Sequence, residues 1–363
     1  MSGESGKLLT QCLVSGGCLL TGCVPCLTPS LVAQSHRTLA GFEALRDSLA
    51  ATSDTSRLRV LFRSSQAHEK IRRSDATAEL RSGALALRLG QLGADPDFDD
   101  ARASFRRAAR REPGRPESWF GLGLAEAGRA GWEMADPLNL GSRVGLKALE
   151  RSAGDYHRAL TVDPTYTPAA LALAQVVLQL RDTSMLADAA RALRHSASVL
   201  SRGPPEVMLA WGRVERGAGM GERALAAFAG YLSLGGNRAL ALLELARTRL
   251  ALGLADGEAA YYEGASLDDS AAIAAYRADL EPLVGDSVLS ELDRLTGPAR
   301  AAYLKRFWTD RDRLELREEG ERLREHYRRL QYARIHFPLT VSRRFYGRLD
   351  AYRAGNGEVD DRG

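Results

Sequence analysis

Cysteines and histidines are the residues of this 363-residue chain best suited to nucleophilic or metal chemistry, and their placement argues against both. Cys12, Cys18, Cys23 and Cys26 all lie within the first 26 residues, and the rest of the chain has no cysteine. A disulfide framework would spread them through the folded body, so they concern the N-terminus instead. Cys23-Val24-Pro25-Cys26 has C-x-x-C spacing. No second C-x-x-C, histidine pair or βαβ pattern accompanies it, so a zinc or redox centre is poorly supported. His36, His68, His157, His195, His326 and His336 form neither H-E-x-x-H nor any other close pair of ligands. There is no G-x-S-x-G elbow and no thiol beyond residue 26 to serve as a nucleophile. No G-x4-G-K-[ST] loop occurs, and Gly121, Gly123 and Gly128 fall in a helical pattern without a preceding strand, which argues against nucleotide binding. The chain is therefore read as non-enzymatic, with no cofactor, no metal and no small-molecule substrate.

The cysteines direct attention to export. Leu8 to Gly22 is a moderately apolar stretch behind Lys7, interrupted by Gln11, Ser15, Gly16 and Gly17 and too short to span a bilayer. Leu20-Thr21-Gly22-Cys23 resembles the bacterial lipobox. That resemblance implies a signal peptide over 1–22, lipidation of Cys23, and an exported lipoprotein anchored to a membrane of the bacterial envelope. A plain export signal, a disordered tail and a cytoplasmic protein are the alternatives. Residues 23–38, with Pro29 and several hydroxyls, read as a tether.

Helical periodicity starts beyond the tether. Ala, Leu, Arg and Gly dominate and aromatics are only 7%, which suits small-residue packing between helices and makes all-α the expected class. Leu39, Phe42, Leu45 and Leu49, then Leu58 to Phe62, mark N-terminal helices over 39–76. The net charge of +4 rests almost wholly on arginine; Lys7, Lys70, Lys147 and Lys305 are the only lysines. Acids lie among these arginines, as in Glu318, Glu319, Glu321, Arg322, Arg324 and Glu325, a pattern read as a solvated face rather than a nucleic-acid footprint.

Over 77–270 the helices repeat. Phe105, Tyr156, Phe228 and Tyr262 each stand three residues before a small or apolar residue, Ala108, Ala159, Tyr231 and Ala265. Phe228 and Tyr262 are 34 residues apart; Phe105 and Tyr156 are separated by one such period and 17 further residues. Ala101, Phe105, Ala108 and Pro113 follow the acidic helix start Asp97 to Asp100, and Trp119, Leu122 and Gly123 open the next unit. Further units cover Tyr166 to Gly203, Trp211 to Gly236, and Arg238 to Ala265. Helix pairs at this period and with these landmarks resemble the tetratricopeptide repeat. The resemblance implies a right-handed α-solenoid in which each pair buries its apolar face by stacking on its neighbours. Phe105, Trp211 and Tyr262 are then expected as knobs between helices. The extra residues, 129–147, are expected as a loop. Trp132, Met134, Leu138 and Leu140 on that loop either fold back onto the array or meet a partner.

Residues 271–363 continue with Tyr276, Leu280, Leu283, Val288 and Leu292, a break at Gly297-Pro298, and a helix from Arg317 to Phe337. Phe307-Trp308 with Asp312, then Glu325, Arg328, Ala333 and Phe337, and finally Asp361-Arg362-Gly363 resemble the front of the GWxTD domain, found after helical repeats in exported bacterial proteins. The namesake Gly-Trp is replaced by Gly357-Glu358-Val359-Asp360, and the chain is expected to hold only the helical front of the domain, which in the family continues into a strand-forming stretch. The family offers no catalytic role to transfer. Phe307 and Trp308 are expected to dock on the last repeat helix. Asp310 and Asp312, amid Arg306, Arg311 and Arg313, are expected to form a solvated ion-pair cluster. Fifteen basic against eight acidic residues between Arg300 and Arg353 would suit anionic headgroups if the chain is tethered. Together these features predict an envelope scaffold that binds a protein or peptide in its groove. A cytoplasmic regulatory or nucleic-acid-associated adaptor using arginine-rich faces is the second reading.

Overall fold

Short polar caps and proline-led first turns cut this chain into helices. Asp97, Asp182, Asn237 and Asp269 each accept a backbone N–H at a helix start, and Pro116, Pro168, Pro205 and Pro298 occupy first turns, where a missing N–H costs nothing. The computed structural model describes residues 41–337 apart from 72–75, 96, 135–141, 201–202 and 255, and every regular element among them is helical. The helices are α1 (41–50), α2 (Thr55–Ile71), α3 (Ala76–Gln91), α4 (Phe98–Arg111), α5 (Pro116–Met134), α6 (Ser142–Val162), α7 (Thr167–Leu180) and α8 (Thr183–Val199). They continue as α9 (Pro205–Gly217), α10 (Gly221–Ser233), α11 (Arg238–Ala251), α12 (Gly257–Ala265), α13 (Ser270–Leu280), α14 (Asp286–Arg294), α15 (Gly297–Leu314) and α16 (Glu321–His336).

The packing is repeat-like. From α2 to α14 each helix lies against its sequence neighbour in most cases, and the alternate helices α3, α5, α7 and α9 also meet in succession, as do α11 and α13. Aromatic rings seated on glycines set the spacing within pairs. Phe105 of α4 lies between α3 and α5, so close that a Cβ on Gly83 or Gly121 would come within 2.7 or 2.4 Å of its ring. Tyr156 of α6 rests on Gly123 and Phe228 of α10 on Gly212, each leaving only 2.5 Å for an added Cβ. These three rings are almost completely buried. Burying an aromatic side chain contributes several kcal/mol, and the bare glycine backbone is what lets the two helices approach closely enough to enclose it.

Three expectations are corrected. Residues 129–134 continue α5 and 142–147 belong to α6, so much of the presumed loop lengthens two helices that pack along each other. Helical propensity of Ala-Gly-Trp-Glu-Met and Ser-Arg-Val-Gly-Leu-Lys joined to existing turns outweighs the loop. Tyr262 is half-buried, and the fully buried ring is its neighbour Tyr261. The core there is filled from the C-terminal side by Tyr276 and Tyr327, whose rings lie 5.0 and 5.9 Å from that of Tyr261. Trp211 is also half-buried, and its Nε1 donates to Glu215 Oε1 at 2.8 Å at the edge of α9.

After α14 the chain folds back. α15 packs on α12, with Trp308 buried and its Nε1 donating to the Tyr261 hydroxyl at 3.3 Å. Gly320, at φ +79, ends the connection in a left-handed turn that other residues seldom adopt, and α16 then runs across α11. Asp312 is buried rather than solvated. Its carboxylate accepts Gly320 N at 2.8 Å and Arg322 N at 2.7 Å, so it caps the turn into α16 instead of joining a surface ion cluster.

Candidate binding site

A row of buried acids runs along the helices that begin the pairs, each met by arginines from neighbouring helices. Glu79 of α3 meets Arg107 and Arg111 of α4 at 2.8 and 3.0 Å. Glu126 of α5 meets Arg102 and Arg151 at 3.3 and 3.1 Å, and Glu215 of α9 meets Arg194 of α8 at 2.7 Å. All three acidic residues are buried, at most 1% of each being exposed. A buried carboxylate is stable only when such partners replace its lost hydration. The arginine excess is thus spent partly inside the fold, and the reading of these arginines as a purely solvated face is corrected to that extent.

The row is densest at α9, α11 and α13. Leu242-Leu243-Glu244-Leu245-Ala246-Arg247 places Glu244 and Arg247 three apart on one face of α11, and Arg213 and Arg216 have the same spacing on α9. Glu244 receives Arg213 at 2.8 Å, Arg216 at 2.5 Å and Arg247 at 3.3 Å. Arg247 also forks onto Asp279 of α13, donating Nε to Oδ2 at 2.7 Å and Nη2 to Oδ1 at 2.9 Å. From α16, Tyr327 donates its hydroxyl to Asp279 at 2.9 Å, Arg334 approaches the same carboxylate at 3.4 Å, and Gln331 donates to the Arg216 carbonyl at 2.8 Å. α16 is fastened to the earlier pairs by charge as well as by its apolar face.

These charges are fixed. Burial alone would push the Glu244 carboxyl up, but Arg216, Arg247 and Arg213 outweigh it and hold it well below the usual carboxylate range. Asp279 is lowered in the same way, burial being overcome by Arg247 and Arg334. Neither acid is poised to exchange a proton near neutrality.

A cavity of about 370 Å³ lies beside this network. Arg181, Arg213, Arg216, Arg247 and Arg334 line it together with Glu244 and Asp279, and Leu178, Leu186 and Ile335 supply an apolar wall. Arg181 ends α7 in a left-handed conformation, φ 54, rarely taken by a residue with a side chain. Two further hollows have volumes of about 440 and 220 Å³. One, between α4, α5 and α6, has Trp119 beneath the Arg158 guanidinium, 5.3 Å from its ring centre, and Asp155, which burial pushes up to about 6. The other lies beside Tyr262, Lys305 and Asp312.

Among the described residues, none of those singled out from sequence lines this cavity. Trp132 and Met134 belong to the backbone of α5, their side chains lying outside the described residues, as do Leu138 and Leu140 entirely. The N-terminal Cys12, Cys18, Cys23 and Cys26, the tether, and Asp361 and Gly363 also fall outside the described residues. Phe307 is half-buried against Trp308, their rings 5.0 Å apart, with the Arg311 guanidinium 4.6 Å from the Phe307 ring centre. Ala333 is buried on α16, Arg328 is exposed and pairs with Glu325 one turn earlier, and Phe337 caps the end of the helix. Sequence reasoning missed Glu244, Asp279 and the arginines around them. Their signal was present: an acid inside an apolar helical stripe, as in Leu243-Glu244-Leu245, must be paired or it would not be there.

Among the described residues no group of three or more His, Cys, Asp and Glu is arranged to hold a metal ion, and no helix is long and apolar enough to cross a membrane. Compared with known families and with curated proteins, the chain matches no family model and no curated protein.

Proposed function

We propose that this protein is a non-enzymatic interaction scaffold. On this reading its helix pairs form a tetratricopeptide-like α-solenoid, residues 271–363 belong with the GWxTD domain, and the chain is held at a membrane of the bacterial envelope through a lipid on Cys23. The observation that carries the reading is the shared construction of the pairs. Phe105, Tyr156 and Phe228 sit on glycines of adjoining helices, while buried acids on α3, α5, α9 and α11 are clasped by neighbouring arginines. Repetition of one packing unit makes an extended surface, and such surfaces serve recognition. The cavity formed by α7, α8, α9, α11, α13 and α16 is the face on which a protein segment would be held, its apolar wall giving contact area and its arginines orientation. The segment 129–147, with Trp132, Met134, Leu138 and Leu140, is a second candidate contact.

The test is affinity recovery from bacterial envelope extracts with the full-length chain and with Thr183→Trp, which enlarges an exposed residue of the cavity wall and is expected to occlude it. A discrete protein recovered by the parent chain and lost with Thr183→Trp is expected. Recovery of nothing reproducible, or of the same protein with both chains, would count against binding through this face.

A further inference from the structure

The cavity beside Glu244 and Asp279 holds more positive charge than its own acids neutralise. Even with Arg181 and Arg334 set aside, three guanidiniums, on Arg213, Arg216 and Arg247, converge on two carboxylates. Each guanidinium carries five N–H donors, about fifteen in all, whereas two carboxylates offer about eight lone-pair positions. Backbone carbonyls of Glu244 and Ala275 take some of the remainder, from Arg216 at 3.4 Å and Arg247 at 3.1 Å. Burial and the neighbouring guanidiniums of Arg247 and Arg334 hold Arg216 below its ordinary value in spite of Glu244, as expected where cations are crowded. The guanidiniums come from two directions: Arg213, Arg216 and Arg247 from the paired helices, and Arg334 from α16.

We propose that this cavity is a binding site for a doubly charged oxyanion, a phosphate or a dicarboxylate, held by Arg213 and Arg334 at its edges and by the field of Arg216 and Arg247 behind them. Guanidinium forks match the paired oxygens of both groups, and a dianion supplies acceptor oxygens and negative charge together. Leu178, Leu186 and Ile335 give an apolar wall for a carbon skeleton attached to the anionic group. Because Arg334 belongs to α16 and the others do not, a bound dianion also ties α16 more firmly to α9 and α11. The proposal deepens the reading of this face as the recognition surface, yet an anion bound by the purified chain needs no partner protein, so each idea can fail without the other.

The experiment titrates the purified chain with inorganic phosphate and, separately, with succinate, at constant ionic strength set by chloride, following heat of binding and thermal midpoint. Two variants accompany the parent. Arg213→Gln leaves Glu244 to Arg216 and Arg247, so the carboxylate stays paired; Thr183→Trp enlarges a wall residue, is expected to occlude the cavity, and leaves every charge in place. Saturable binding of phosphate or succinate, with a rise in midpoint, is expected for the parent chain. Loss of one charge-assisted contact is expected to weaken it roughly tenfold or more in Arg213→Gln, and Thr183→Trp is expected to abolish it. Saturation by phosphate alone identifies a phosphoryl ligand, and by succinate alone a carboxylate ligand; either supports the site. The proposal is overturned if neither anion does more than chloride, or if both variants bind as tightly as the parent.

Discussion

Glu244→Gln removes one negative charge from a fully buried position where three guanidiniums meet it, at 2.8 Å from Arg213, 2.5 Å from Arg216 and 3.3 Å from Arg247. The substitution preserves side-chain volume, so no cavity opens and the effect is electrostatic. Arg216 and Arg247 are only 13% and 10% exposed and cannot recover their hydration without moving. Breaking a buried pair in this way costs about 3–5 kcal/mol. The comparison is Asp188→Asn, which dissolves the exposed pair with Arg191, the two side chains being 60% and 73% exposed. A surface pair of that kind is worth at most about 1 kcal/mol. Urea unfolding at pH 7 followed by far-ultraviolet circular dichroism measures both, with hydrogen exchange over α9 to α13 to locate the loss if unfolding proceeds in stages. A midpoint for Glu244→Gln no lower than that for Asp188→Asn would refute the claim that these buried clasps hold the helix pairs together.

Other expectations follow from the same structure. Gly121→Ala drives a Cβ to 2.4 Å from the Phe105 ring and is expected to cost about 1–3 kcal/mol, whereas Gly154→Ala, with nothing within 4 Å, is expected to stabilise α6 by up to about 1 kcal/mol; the two urea midpoints should move in opposite directions. The carboxyl of Asp155 is raised by burial to about 6, so the folded chain binds its proton more tightly than the unfolded chain does, and this group's contribution to stability falls as the pH rises from about 4 to 6. Asp155→Asn is accordingly expected to raise the thermal midpoint at pH 7.5 and to leave it unchanged at pH 3.5; an equal change at both would exclude titration of Asp155 as the cause. Asp312→Asn replaces an acceptor of two backbone N–H groups at the turn into α16 and is expected to cost about 1–3 kcal/mol and to speed amide exchange in α16 before the other helices. In a bacterial host, the chain with its native N-terminus is expected to lose residues 1–22, gain a lipid mass and fractionate with membranes, with Cys23→Ala released; an unprocessed soluble chain would make a cytoplasmic adaptor the better reading.

The helices were legible because their signals are local. Asp97 as a helix start, Gly235-Gly236 as a stop, and the apolar stripe carrying Phe105, Tyr156 and Phe228 each depend on residues within a few turns. The errors arose where distant chain decides. Tyr261 rather than Tyr262 faces the core because Trp308 and Tyr327, 47 and 66 residues further on, complete that core. Asp312 reads as a surface charge beside Arg311 and Arg313 until the turn at Gly320 brings two backbone N–H groups onto it. Segment 129–147 looked like a loop because a fixed period has no place for extra residues, although two existing helices had room to lengthen. The cavity was the least legible feature. It combines residues of α7, α8, α9, α11, α13 and α16, and no spacing rule links Arg213 to Arg334.

The scaffold reading is tested most directly by placing a photo-crosslinking residue at Thr183, on the cavity wall, and in a separate chain at Val199, exposed near the other end of α8 and about 24 Å away along the helix axis. Illumination of bacteria producing each chain should give one adduct of discrete mass from position 183 and none from 199. No adduct from 183, or equal adducts from both positions, would contradict recognition through this face.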